Sequence, residues 1–193
     1  SAILRANPTI NPDNLQIGSN VIVPLSFMVV PTNVPYTYQL LTFIIEGLEV
    51  RYPFLLGGAI GKSVMGKNIP VLKIGNGKTE VFYNASHHAN EWITTPVLLK
   101  FIEDYAKSVV NAEYLGTLNA ESLFNNTTLY VVPMVNPDGV NLVTGAMERD
   151  TEIYYDVITL ANNYPSIPFP TGWKANANGV DLNLNYPAMW EEA

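Results

Sequence analysis

The chain has 193 residues, enough for one medium domain, or one domain plus a fragment, and enough to bury a sizeable core. A net charge of −7 without a basic patch argues against nucleic acid or an anionic membrane surface as partner. The absence of cysteine excludes disulfides and a thiolate metal site, and no apolar run reaches the roughly eighteen residues of a membrane helix.

Ala6-Asn7-Pro8 is expected to close a short helical piece, and Asn11-Pro12-Asp13-Asn14 to form a turn. Leu15 to Gly18 then leads into Val21-Ile22-Val23-Pro24, read as a short strand ended by proline. Pro31 and Pro35 mark a linker. Apolar residues at 40, 41, 43, 44, 45, 48 and 50 predict a helix over 37–50, capped by Thr37 and stopped at Arg51-Tyr52-Pro53. Strands are expected over 55–60, 70–75 and 80–85. Turns at Gly61-Lys62-Ser63 with Gly66-Lys67-Asn68, and at Gly75-Asn76-Gly77, separate them. Gly61-Lys62-Ser63 is not read as a phosphate loop, because position 56 is leucine and no helix pattern follows.

Trp92 to Val110 carries the clearest helical face, with Pro96 near its start. A polar loop is expected over 111–126, then a strand over 127–134 that is apolar on both faces. Asn136-Pro137-Asp138-Gly139 reads as a tight turn, 143–171 as mostly loop with helical turns, and Gly179-Val180-Asp181-Leu182 as a short extended piece. The alternation predicts an α/β fold: a mixed, mostly parallel sheet flanked by helices. Sites in such folds lie beyond the carboxyl ends of strands, which puts His88 and Asn136 on one rim.

His88 and Glu91 stand three positions apart between a strand and a helix, where their side chains can converge on one metal ion. His87 points elsewhere and reads as structural. On its own this spacing is also that of a surface histidine beside a glutamate.

Three ordered stretches add to it: Ser86-His-His-Ala-Asn-Glu-Trp-Ile-Thr94, Val132-Pro-Met-Val-Asn-Pro-Asp-Gly139 and Gly179-Val-Asp-Leu-Asn-Leu-Asn-Tyr186. With Thr37-Tyr38 and Ile60 to Lys67, they resemble the M14 zinc carboxypeptidases, from about Thr37 to the C-terminus. The resemblance implies zinc as cofactor, with His88 and Glu91 as its first two ligands. Lys174 falls where the family often has an arginine that polarises the scissile carbonyl. Asn183 matches an asparagine that holds the substrate carboxylate, and Asn136 to Gly139 becomes a supporting turn. Leu184 stands where carboxypeptidases carry the arginine that grips a C-terminal carboxylate, which argues against ordinary exopeptidase action. That variant is similar to the γ-D-glutamyl-L-diamino acid endopeptidase branch, which cuts peptidoglycan peptides. The family's third ligand, a histidine, and its catalytic glutamate come later in the chain, whereas these residues include only His87 and His88.

Ala6 to Pro24 resembles the second half of a LysM repeat, which implies glycan binding by a complete module. The expected organisation is 1–24 partial LysM, 25–36 linker, and 37–193 the N-terminal part of a peptidase domain. The expected function is zinc-dependent hydrolysis of γ-D-glutamyl-diamino acid bonds. Two alternatives stand beside it: a non-catalytic wall-binding or scaffold fragment, and a conventional metallocarboxypeptidase. The resemblance implies a cell wall-associated or extracellular bacterial setting. The absence of cysteine suits a cytosolic protein and also a secreted one that does not rely on disulfides, so a cytoplasmic setting stays open.

Overall fold

The structure is a computed structural model that describes residues 2–23 and 28–187. Helix α1 (Ala2–Ala6) ends before Asn7-Pro8, as expected. The segment that follows is not a strand. The backbone N–H and C=O of Ile22 are taken by the Asn7 side chain at 2.9 and 2.8 Å, and among the described residues Val21 to Val23 pair with no neighbouring strand. Pro24 lies outside the described residues.

The stretch read as linker is seated on the core where it is described. Val30 and Tyr36 are buried. The N–H groups of Val29 and Val30 both donate to the Glu103 carboxylate, the second at 3.0 Å. Arg51 Nη1 lies 3.6 Å from the same carboxylate, which is wholly buried.

Helix α2 (Tyr38–Arg51) begins as its sequence dictates, with the Leu40 N–H donating to Thr37 Oγ1 at 3.2 Å. It buries Leu41, Ile44, Ile45 and Leu48, and ends before Pro53. Strand β1 (Leu56–Lys62) runs through Gly61 and Lys62. The turn therefore falls at Ser63 to Lys67, where Gly66 takes a positive φ of 76°. Strands β2 (Asn68–Gly75) and β3 (Thr79–Asn84) follow.

A 3-10 turn (Ala89–Glu91) leads into α3 (Thr94–Asn111), which buries Leu99, Ile102, Tyr105 and Ala106. The expected loop at 111–126 instead holds a small hairpin, β4 (Tyr114–Leu115) with β5 (Leu118–Asn119), and helix α4 (Ala120–Asn126). Asn119 caps α4 through the Ser122 N–H at 2.8 Å. The polar composition of this stretch hid that cap.

Strand β6 (Thr127–Val132) is covered on both faces, as its apolar run predicts. The main sheet has the order β1-β2-β6-β3. β3 and β6 are parallel, while β2 pairs antiparallel with both β1 and β6. Because β6 lies between β2 and β3, Gly75-Asn76-Gly77 does not close a hairpin but crosses the start of β6. A Cβ on Gly75 would sit 2.1 Å from the Thr127 carbonyl oxygen, and one on Gly77 would sit 1.8 Å from the Asn126 carbonyl carbon. Only glycine permits that crossing.

Asn136 to Gly139 opens a helix, α5 (Pro137–Val143), rather than a turn. Helix α6 (Glu152–Ala161) lies in the stretch read as mostly loop with helical turns and is capped by Thr151. Gly179 to Leu182, read as a short extended piece, is no strand of the sheet: Gly179 bends at a positive φ of 76° and Leu182 opens a turn. No helix of the described residues is long and apolar enough to cross a membrane.

Candidate metal centre

The parallel pair β3–β6 brings two loops to the same rim. The ladder continues past the strands: the Val135 N–H donates to the Ala85 carbonyl and the Asn136 N–H to the Ser86 carbonyl, each at 3.0 Å. Ser86 adopts a positive φ of 53° and turns the chain outward. Thr94 and Thr95 hold it there: the Ser86 N–H donates to Thr94 Oγ1 at 2.9 Å, and the Ser86 and Thr95 hydroxyls lie 2.8 Å apart.

Asn136 joins three segments. It caps α5 through the Gly139 N–H at 3.1 Å, and its Nδ2 donates to the carbonyls of His87 at 3.1 Å and Ala175 at 3.0 Å. A Cβ on Gly139 would meet Ala89 Cβ and the Ala175 carbonyl oxygen, each at 2.7 Å. The Asn-Pro-Asp-Gly stretch therefore supports the site as a cap and a close contact. Asp138 anchors it further, pairing with Lys67 Nζ at 2.6 Å and accepting the Met65 N–H at 3.0 Å.

His88 and Glu91 converge, with Nδ1 of the ring 3.0 Å from Oε1 of the carboxylate. The other ring nitrogen, Nε2, lies 3.2 Å from Asp181 Oδ1. If Nε2 carries the proton and donates to Asp181, the Nδ1 lone pair faces the Glu91 carboxylate. Two acceptors at that distance need a proton or a cation between them. A ligating histidine held by a carboxylate on its far nitrogen is the arrangement that fits a metal. His88 and Glu91 thus suit zinc as a ligand pair. Among the described residues, no group of three or more His, Cys, Asp or Glu is placed to hold a metal. Glu191 and Glu192 lie outside the described residues.

Asp181 is the residue that spacing alone could not find, since it stands 93 positions after His88. Burial alone would raise its carboxyl. The N–H groups of Leu184 and Asn183 and the His88 ring outweigh burial and hold it below the usual carboxylate range. His87 makes a different contact, with its Nε2 2.7 Å from the Tyr186 hydroxyl. Burial, reinforced by the neighbouring His88, holds the His87 ring below the ordinary histidine range.

Asn183 lines the same cleft of about 300 Å³ as His87, His88, Glu91 and Thr94. Lys174 has an exposed side chain. Its carbonyl accepts the Ala89 N–H at 3.0 Å, so its backbone is fastened to the His88–Glu91 segment. A larger hollow of about 740 Å³ lies against α6 and includes none of these residues.

A histidine–glutamate pair thus stands at the rim of a mixed α/β sheet. Residues 42–193 match the zinc carboxypeptidase family, and the chain belongs to it. It is 45% identical over 156 residues to "Gamma-D-glutamyl-L-diamino acid endopeptidase 1" of Lysinibacillus sphaericus, covering 81% of this chain and 39% of that protein. It is 43% identical over 143 residues to "Uncharacterized protein YqgT" of Bacillus subtilis, covering 72% and 37%. The chain therefore spans about two fifths of the length of these relatives. Among solved structures, thrombin activatable fibrinolysis inhibitor superposes with a TM-score of 0.62 at 20% identity, over 82% of this chain and 36% of that one. That likeness bears on the fold alone.

Proposed function

We propose that the full-length protein hydrolyses γ-D-glutamyl-diamino acid bonds in peptidoglycan peptides. The observation that carries this reading is His88, set between Glu91 and Asp181 in a chain 45% identical to an endopeptidase of that name. His88 and Glu91 would hold zinc. When bound, zinc supplies a Lewis acid that lowers the pKa of water to about 7. Asp181 orients the His88 ring and keeps Nδ1 free of its proton. Lys174 contributes positive charge toward the scissile carbonyl, as a point charge without a guanidinium fork. Asn183 holds the substrate.

Leu184 supports endopeptidase over carboxypeptidase action, because an exposed leucine offers no charge to a terminal carboxylate. The partial LysM resemblance supports glycan contact by a complete module, and with it a place at the bacterial cell wall. The test is hydrolysis of an L-Ala-γ-D-Glu-diaminopimelate peptide by the zinc-loaded full-length protein. Cleavage at the γ-D-glutamyl bond is expected, and zinc binding without cleavage would overturn the substrate assignment.

A further inference from the structure

His87 and His88 are neighbours, yet they hold opposite ends of one loop. His88 meets Asp181 at 3.2 Å, and His87 meets Tyr186 at 2.7 Å with ring centroids 5.8 Å apart. Between those anchors lies Asn183, facing the cleft. Inside the loop, Asp181 Oδ1 accepts the N–H groups of Asn183 at 2.9 Å and Leu184 at 3.2 Å. Asn185 Nδ2 donates to the Asp181 carbonyl at 2.7 Å. These bonds set the turn's internal shape. Among the described residues, the side-chain hydrogen bonds that tie the 181–186 loop to the rest of the protein run to the two histidines.

The His87 backbone does not need its ring for support, since its carbonyl already accepts from Asn136 at 3.1 Å. The ring is therefore available to the loop. A neutral imidazole and a phenol can bond in either sense, the hydroxyl donating to Nε2 or Nε2–H donating to the hydroxyl oxygen.

We propose that His87 and Tyr186 are positioning residues. Together they clamp the 181–186 loop over the metal-site cleft and hold Asn183 where it meets the substrate. This rests on the reading of Asn183 as a substrate contact. A single hydrogen bond of this kind changes an equilibrium by roughly fivefold.

The test compares the full-length protein with His87→Ala, Tyr186→Phe and the double variant. Hydrogen exchange of the 179–187 amides, followed by mass spectrometry, is expected to quicken about fivefold in each. It should quicken no further in the double variant, because both changes cut one bond. Exchange in β3 and α3 should not move, and zinc content should stay at the wild-type level. With the γ-D-glutamyl-diaminopimelate peptide, KM should rise about fivefold while kcat falls less than twofold. His87→Gln, which keeps a side chain able to bond, should recover part of the KM.

Unchanged exchange at 179–187 would overturn the clamp, as would additive effects in the double variant. Loosening that spreads into β3 and α3, or loss of zinc, would overturn it too. So would a loosened loop with unchanged KM in an enzyme that cleaves the peptide. If the wild type does not cleave, the substrate assignment falls, and the exchange measurement alone still decides the clamp.

Discussion

The Asp181 carboxylate stands 3.2 Å from Nε2 of His88, joining residues 93 positions apart across the rim of the sheet. The contact fixes which ring nitrogen is left to face Glu91, so Asp181 should govern metal affinity without touching the metal. Asp181→Asn and Asp181→Ala should weaken zinc binding of the full-length protein by roughly 10–100-fold, alanine more than asparagine. Competition with a chromogenic chelator measures this, and unchanged affinity in both variants would contradict it.

Glu103 is a wholly buried carboxylate that accepts two backbone N–H groups and lies 3.6 Å from Arg51. Glu103→Ala leaves those donors and a 9% exposed arginine without it. The expected loss is about 3–5 kcal/mol in urea unfolding. Glu103→Gln keeps one acceptor and should lose less.

Burial, with the Glu103 charge adding to it, pushes the Tyr36 hydroxyl up to about 12. The fold thus favours the neutral phenol, which donates to the Pro31 carbonyl at 2.6 Å. A raised acid pKa means this contribution is intact below the unfolded value of about 10 and is lost as pH climbs through the folded one. Unfolding midpoints should fall between about pH 10 and 12 in the wild type. Tyr36→Phe should start about 1 kcal/mol lower and fall less steeply there.

Asn136 is 2% exposed and bonds to α5, the His87 turn and the 175 loop at once. Asn136→Ala should lose about 2–3 kcal/mol, more than an ordinary cap, because it also removes two donations to part-buried carbonyls. Asn136→Asp keeps the cap acceptor but not the two donations, so it should restore only part. Thermal unfolding of the full-length protein separates the two.

What could be read from the chain was what local chemistry decides. Thr37 as a cap, the apolar face of α3 and the doubly covered strand β6 each follow from spacing within a few residues. The pair His88–Glu91 was legible for the same reason, three positions apart on one turn. Other features depend on partners distant in sequence. Val21 to Val23 look like a strand but find the Asn7 side chain in place of a neighbouring strand. Gly75 to Gly77 look like a hairpin turn, yet β6 inserts between the strands they join. Asp138 and Glu103 are buried carboxylates whose ion-pair partners, Lys67 and Arg51, lie far off in sequence. Asp181 and the His87–Tyr186 contact lie nearly a hundred residues from the segment they touch.

The central claim is that His88 and Glu91 carry zinc for the cleavage of a γ-D-glutamyl-diamino acid bond. The most direct measurement is zinc stoichiometry and peptide hydrolysis on the same preparations of wild type, His88→Ala and Glu91→Ala full-length protein. The wild type should hold zinc and cleave L-Ala-γ-D-Glu-diaminopimelate, and both variants should lose the metal and the cleavage together. Cleavage that survives either substitution, or a zinc-loaded wild type that leaves the peptide intact, would contradict the account.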